Sequence, residues 1–190
     1  AELLEAKGAV MINADRIGHE IVEADQVKGR LVERFGARII DEAGALDRRA
    51  LGRMAFSDDA AKEDLERIVR PALSEKLWGQ VEEALYRVGT QGIVVVDAAL
   101  IVEWGHEDAF DRLIVVTAQI EDSISRVEAD RRLSSMEIRQ RIEAQAPSAL
   151  KEEKADFVID NSGNLEVLHE AADELWQELV EAAREGGART

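Results

Sequence analysis

The stretch Gln91–Gly105, QGIVVVDAALIVEWG, decides the fold. Four consecutive β-branched residues, Ile93–Val96, follow Gly92 with no alternation of polar and apolar side chains. Such a run is typical of a central strand in a parallel sheet, which is covered on both faces. Asp97 ends the run and Glu103 lies in the next loop, so both carboxylates fall beyond a strand's carboxyl end, where open α/β sheets bind ligands. Alternatively, Asp97 only caps the next segment.

The amino-acid composition excludes several classes of protein. The 190 residues fit one α/β domain with an insertion, and the absence of cysteine excludes disulfides and thiol chemistry. A formal net charge of -16 argues against nucleic-acid binding, because a phosphate backbone would be repelled. No apolar run is long enough to span a membrane, and the first ten residues, AELLEAKGAV, lack the basic start of a signal peptide. We therefore expect no membrane partner and a cytoplasmic location.

Three further short apolar runs predict strands: Ala9–Ile12, Leu113–Thr117 and Phe157–Ile159. Asn13 and Asp15 follow the first run at its carboxyl end, and helical spacing resumes at Arg16. A strand, a short polar segment and a helix in succession make one βα unit.

The residues between the first two strands are mostly helical. Asp47 and Asp58 are expected to cap helices there, and Pro71 is expected to cause a boundary or a kink. About sixty residues far exceed the dozen or so that a simple crossover needs, which predicts an inserted helical subdomain. Residues 126–154 form a second, highly charged helical segment, for which a solvated surface is the alternative interpretation. Leu165–Ala183 has the spacing of an amphipathic helix.

Five sequence pieces, in order and at similar spacing, resemble the dephospho-coenzyme A kinases, which are small P-loop kinases. They are INADRIGHE, ALDRRALGRMAFSD, VVVDAALIVE, IEAQAP and ADFVIDNSG. The resemblance implies an α/β fold, a P-loop kinase-like parallel sheet flanked by helices. It also implies a nucleotide-binding core at 1–15, 91–120 and 155–190, a helical CoA-binding insertion at 16–90 and a helical lid at 121–154.

The activity that the resemblance implies is transfer of the γ-phosphoryl group of ATP, with Mg²⁺, to the 3′-hydroxyl of dephospho-CoA. Asp15 matches the family's carboxylate near the acceptor hydroxyl, where it could orient that hydroxyl and take its proton. Alternatively, Asp15 caps the helix at Arg16. The substrate-binding candidates are Asn13, Asp97, Glu103 and Arg70. The resemblance assigns no metal ligand, and a monomer is expected by default.

Arginines of the lid and a turn after the last strand match the family's ATP-binding pieces. Arg126 and Arg141 match lid arginines, and Arg131 is the candidate for a third position that requires a small shift in the alignment, with Arg132 as its neighbouring alternative. Asn161 and Gly163 match the adenine loop. The alternative is that the Asn-Ser-Gly sequence is simply a good turn.

The chain departs from the family pattern in several places. Asn13 stands where the family has Asp, Arg70 where it has His, and Ala99 where it has Pro. No GxxxxGKS or GxxxxGKT motif occurs in these 190 residues, and without that phosphate cradle we expect inefficient catalysis. Three hypotheses follow: a true kinase whose first strand and P-loop precede Ala1, a non-catalytic homologue that binds CoA-like ligands, or another small-molecule P-loop kinase.

The family's P-loop strand would lie between the strands at 93–96 and 113–116. Without it, the chain is expected to expose open strand edges and to be unstable or to aggregate, unless another segment fills the gap.

Overall fold

The structure, a computed structural model, describes residues 1–131, 135–143 and 145–187. The chain forms two compact units, one of residue 1 with residues 9–98 and one of residues 2–8 with residues 99–190. In chain order the helices and strands are α1 (Glu2–Ala6), β1 (Val10–Asn13), α2 (Ala14–Ile21), α3 (Asp25–Phe35), α4 (Arg48–Ala55), α5 (Asp59–Val88), β2 (Val94–Asp97), β3 (Ile114–Thr117), α6 (Ile120–Arg131), α7 (Ser135–Glu143), α8 (Ser148–Lys154), β4 (Phe157–Asp160) and α9 (Leu165–Gly187).

The described residues form four strands, in the places that the sequence predicts, and they pair in parallel within each unit. In the first unit β1 pairs with β2, from Val10 opposite Val94 to Asn13 opposite Asp97. In the second unit β3 pairs with β4 over four residues on each strand. Parallel pairing brings the carboxyl ends of both strands of a pair to the same edge.

The strands are less covered than the sequence predicts. Val94–Val96 of β2 are half-buried, and in the second unit Val116 and Val158 are 58% and 49% exposed. The expectation that the central strand is covered on both faces is therefore not met. A sheet only two strands wide presents little surface for helices to pack against, so its β-branched side chains are shielded only in part.

The core of the first unit lies between α5 and the shorter helices α2, α3 and α4, which pack against it. Leu31 and Ile39 are completely buried there. The caps predicted at two aspartates are confirmed. Asp47 accepts hydrogen bonds from the backbone N–H groups at the start of α4, and Asp58 accepts one from Ala61 at 2.8 Å. These caps fix where the helices begin.

Helix α5 runs through Pro71 from Asp59 to Val88. Of the boundary or kink expected at Pro71, the boundary is wrong, because the helix continues through this residue. Proline removes one backbone hydrogen bond from a helix interior. The packing of α5 against three neighbouring helices and both strands of its sheet offsets that loss. The helix ends at Gly89, whose φ of 71° lies in the left-handed region that favours glycine.

In the second unit, α9 packs against α1 and β4. Its buried side chains, Ala172, Leu175 and Leu179, recur at helical spacing on one face, as expected for the amphipathic helix predicted there, and α1 contributes the buried Leu4. Within the described residues, no helix is both long enough and apolar enough to cross a membrane.

Candidate functional site

Asn13 stands where β1 ends and α2 begins. Its Oδ1 accepts a hydrogen bond from the backbone N–H of Arg16 at 2.8 Å, which makes Asn13 the N-cap of α2. Its Nδ2 donates to Oδ2 of Asp97 across the paired strand ends at 3.4 Å, a long hydrogen bond. The two ends of the side-chain amide therefore fix both the start of the helix and the neighbouring carboxylate.

Asp15 is exposed in the first turn of α2. The cap of this helix is supplied by Asn13, so the alternative role of Asp15 as the cap is not what the structure shows. An exposed carboxylate at this position is favoured by the positive end of the helix dipole. The carboxylate of Asp15 is thus available to a ligand at the edge where β1 ends.

Asp97 is exposed as the last residue of β2. Turns occupy residues 101–105, so the next segment, which Asp97 caps in the alternative interpretation, does not begin with a helix. Arg70 lies further from the strand ends in sequence, half-buried on α5. Helix α5 packs against α2 and both strands of this unit. The substrate-binding roles of Asn13, Asp97 and Arg70 remain predictions.

Glu103 lies in the second unit, and its carboxylate is already engaged. Oε1 accepts hydrogen bonds from the backbone N–H of Ala146 and pairs with Nζ of Lys151, each at 2.9 Å. Oε2 is buried without a described partner. Burial opposes the charged form, but the bonds from Lys151 and Ala146 outweigh it and lower the pKa of Glu103. The substrate-binding role predicted for Glu103 stays a prediction.

The lid arginines lie on two helices of the second unit. Arg126 is exposed on α6, Arg131 is the last residue of that helix, and Arg141 lies on α7. The side chains of Arg131 and Arg141 and the whole of Arg132 lie outside the described part of the chain, so their phosphate-binding roles stay predictions.

The turn after β4 is held by hydrogen bonds to the end of β3. The backbone N–H of Asn161 donates to the carbonyl of Thr117 at 2.7 Å, and Oγ of Ser162 accepts from the backbone N–H of Gln119 at 3.1 Å. Hydrogen bonds from Ser162 also lower the pKa of Asp160. Asn161 is half-buried and Gly163 is exposed, so both residues lie on a fixed turn beyond the strand ends.

Two lysines that the sequence does not single out hold helix α8. Lys151 pairs with Glu103, and Lys154 pairs with Glu107. The glutamates are four residues apart in one loop and the lysines are three apart on one helix, so the two pairs run side by side. The only signal in the sequence is this complementary spacing, and it does not reveal which distant segments meet.

The parallel strands and the flanking helices define an α/β protein, with carboxylates beyond the strand ends, where sheets of this kind bind ligands. Residues 1–166 match the family model for dephospho-CoA kinase, and the chain belongs to that family. The family consists of kinases that use ATP as co-substrate, so dephospho-CoA and ATP are the small molecules that membership implies.

Similar proteins support this membership. A dephospho-CoA kinase of Thermobifida fusca (strain YX) is 37% identical over 180 residues, which cover 94% of this chain and 88% of that protein. One from Geobacter sulfurreducens is 37% identical and covers 93% of this chain and 89% of the relative.

Solved structures agree with the fold. The crystal structure of TT1252 from Thermus thermophilus has a TM-score of 0.75 at 29% identity and covers 94% of this chain and 88% of that one. The dephospho-CoA kinase from Campylobacter jejuni has a TM-score of 0.68 and covers 95% of this chain and 90% of its own. Its 24% identity supports the fold alone. The predicted α/β, kinase-like fold is confirmed.

Proposed function

We propose that the protein transfers the γ-phosphoryl group of ATP to the 3′-hydroxyl of dephospho-CoA. The observation that carries this proposal is the exposed carboxylate of Asp15 in the first turn of α2, directly after the strand end where Asn13 meets Asp97. Ligands of open α/β sheets bind beyond the carboxyl ends of the strands.

In this proposal Asp15 acts on the acceptor hydroxyl of dephospho-CoA. The 3′-oxygen attacks the γ-phosphorus, the bond from that phosphorus to the bridging oxygen of ADP breaks, and Asp15 accepts the proton of the hydroxyl. Phosphoryl transfer depends mainly on positioning and on neutralising charge, so one placed carboxylate can serve the acceptor side. Because Asn13 caps α2, the position of Asp15 in its first turn is fixed by the side chain that closes β1.

The other candidate residues are proposed to bind either the substrate, dephospho-CoA, or the nucleotide, ATP. Asn13 and Asp97 offer amide and carboxylate groups to the polar parts of dephospho-CoA, and the charge of Arg70 suits its phosphates. Arg126, Arg131 and Arg141 are proposed to hold the phosphates of ATP, and Asn161 with Gly163 to bind adenine. We also propose that residues 16–90 bind CoA, that residues 121–154 are the lid, and that residues 1–15, 91–120 and 155–190 form the nucleotide-binding core.

Magnesium fits a carboxylate at the edge of the first sheet. The exposed carboxylate of Asp97 offers oxygen ligands of the kind that Mg²⁺ prefers, and the ion commonly uses one or two carboxylates together with substrate phosphates. Asp97 is the residue that would hold it. When bound, the ion would neutralise phosphate charge during transfer. We further propose a cytoplasmic location and a monomer.

The test is the acceptor dependence of ADP release by the full-length gene product with ATP and Mg²⁺. Dephospho-CoA should stimulate ADP release and yield coenzyme A in equal amount, measured by mass spectrometry. A matched acceptor that is already phosphorylated at the 3′ position, coenzyme A itself, should give no stimulation. Equal stimulation by nucleoside monophosphates would instead assign the protein to another kind of small-molecule kinase.

A further inference from the structure

We propose that Lys151 is a positioning residue that holds Gln145 and Ala146, which follow α7 within the proposed lid, against the loop between Ala99 and Glu103. All of these residues belong to the second unit. The expected effect on ATP rests on the proposed function, whereas the contacts themselves do not.

The ammonium group of Lys151 has three N–H donors, and the structure gives it three acceptors. Nζ lies 2.9 Å from Oε1 of Glu103, 3.1 Å from the carbonyl oxygen of Ala99 and 3.1 Å from Oε1 of Gln145. The side chains of Lys151 and Glu103 are only 16% and 18% exposed. One lysine on α8 therefore joins the loop after β2 to Gln145, just beyond the end of α7.

Glu103, in the loop after β2, also binds the segment that follows α7. Its Oε1 also accepts the backbone N–H of Ala146 at 2.9 Å, so two successive residues, Gln145 and Ala146, are held by the Lys151–Glu103 pair. The backbone N–H of Gln145 in turn donates to the carbonyl of Ile142 at 3.2 Å, in the last turn of α7. Fixing Gln145 thus fixes the end of the helix that carries Arg141, a proposed ATP-binding residue.

The energetics favour positioning over stability as the role of this pair. Oε2 of Glu103 is buried without a described partner, and a buried unsatisfied oxygen carries a desolvation cost. Ion pairs removed from water often contribute little net stability, because desolvation offsets the attraction. What the pair does supply is a fixed geometry between the loop at 99–103 and the segment at 145–151, where Glu103 and Ala146 are 43 residues apart in the sequence.

The neighbouring pair provides a matched control. Lys154 lies three residues further along α8 and pairs with Glu107, in the same loop as Glu103. Its side chain is 38% exposed, compared with 16% for Lys151. Lys154→Met removes an ion pair from the same helix, and the described hydrogen bonds of Gln145 and Ala146 do not involve Lys154.

The experiment compares Lys151→Met with Lys154→Met in the full-length gene product. Lys151→Met should speed hydrogen exchange at the Ala146 amide, measured by NMR, and Lys154→Met should not. In steady-state kinetics Lys151→Met should raise the KM for ATP by about 10- to 100-fold, the size of effect expected when one hydrogen bond to a charged group is lost. The KM for dephospho-CoA should stay nearly unchanged.

A second variant, Glu103→Gln combined with Lys151→Met, removes both charges and avoids leaving a buried carboxylate unpaired. It should fold and still show the ATP effect. Equal KM changes for both substrates, equal effects of the two lysine variants, or unchanged exchange at Ala146 would each overturn the positioning role. If wild type does not phosphorylate dephospho-CoA, the proposed function fails, and exchange at Ala146 still decides whether the contact holds this segment.

Discussion

The side-chain amide of Asn13 joins two strand ends and a helix start, since its Nδ2 donates to Asp97 at 3.4 Å while its Oδ1 caps α2 through Arg16 at 2.8 Å. The cap is the shorter and stronger of the two bonds. Substitutions at Asn13 should therefore separate a stability effect from an effect on the neighbouring carboxylate.

Asn13→Ala should lower the free energy of unfolding by about 1 kcal/mol, the usual loss when a helix cap is removed. Asn13→Ser keeps a capping oxygen and loses the amide donor to Asp97, so it should retain most of the stability. Urea unfolding of the two variants beside wild type measures the difference. Equal loss in both would mean that the bond to Asp97, rather than the cap, stabilises this corner.

Asp15→Asn should lower turnover by about 100-fold or more with a modest change in substrate KM, because a placed acid-base group contributes about that much. Steady-state kinetics of the full-length gene product provide the measurement. Asp25→Asn is the matched control, since Asp25 is also an exposed aspartate in the first turn of a helix, α3. Wild-type turnover in Asp15→Asn would remove this residue from the reaction.

Local patterns in the sequence predict most elements of this fold. The β-branched run at 93–96 predicts β2, and Asp47 and Asp58 predict helix starts, because each signal acts within a few residues of itself. Pro71 shows where local patterns fail to predict the structure. Its local tendency to end a helix is outweighed by the packing of α5 against elements that are distant in the sequence.

The residues of the candidate site could likewise be predicted from the sequence only in part. Asn13, Asp15 and Asp97 could be selected from the sequence because each directly follows a strand, and the register then places Asn13 opposite Asp97. The partners of Glu103 could not be predicted from the sequence. Lys151 lies 48 residues further along the chain, on a helix whose charged sequence has no distinguishing pattern. Its burial and its fixed partners depend on tertiary packing that no local pattern contains.

Arg141→Ala should raise the KM for ATP more than it changes binding of dephospho-CoA, since this residue is proposed to hold phosphate on the nucleotide side. Arg139→Ala is the matched control, because Arg139 is an exposed arginine on the same helix, α7. Calorimetric titration with each ligand and steady-state kinetics measure the two effects. Equal losses for both ligands in Arg141→Ala would mean that the residue supports the structure instead.

Two glycines of the first unit should respond oppositely to alanine. A Cβ at Gly92 would clash with Cβ of Val88, so Gly92→Ala forces a shift and should destabilise by about 1–3 kcal/mol. Gly79 lies inside α5 with open space around it, so Gly79→Ala should stabilise by about 0.5–1 kcal/mol. Urea unfolding of both variants provides the test, and a shared sign would contradict the close approach at Gly92.

The lowered pKa of Glu103 should make the ion pair with Lys151 sensitive to acid. Burial favours the neutral form, but the hydrogen bonds from Lys151 and Ala146 favour the carboxylate more strongly, so the folded-state pKa lies below the unfolded value of about 4.3. The unfolded chain then binds more protons between these two pKa values, and stability rises with pH across that window. The contribution of Glu103 is complete above the unfolded pKa and is lost as pH falls through the folded one.

Glu103→Gln should therefore show a shallower decline in the free energy of unfolding than wild type between about pH 5 and pH 3, a window set by the unfolded pKa and the downward direction of the shift. Lys151→Met should also reduce the decline, because it removes the main group that lowers the pKa of Glu103. Urea unfolding at a series of pH values gives both slopes. Parallel curves for wild type and Glu103→Gln would mean that the pair with Lys151 does not shift the titration of Glu103.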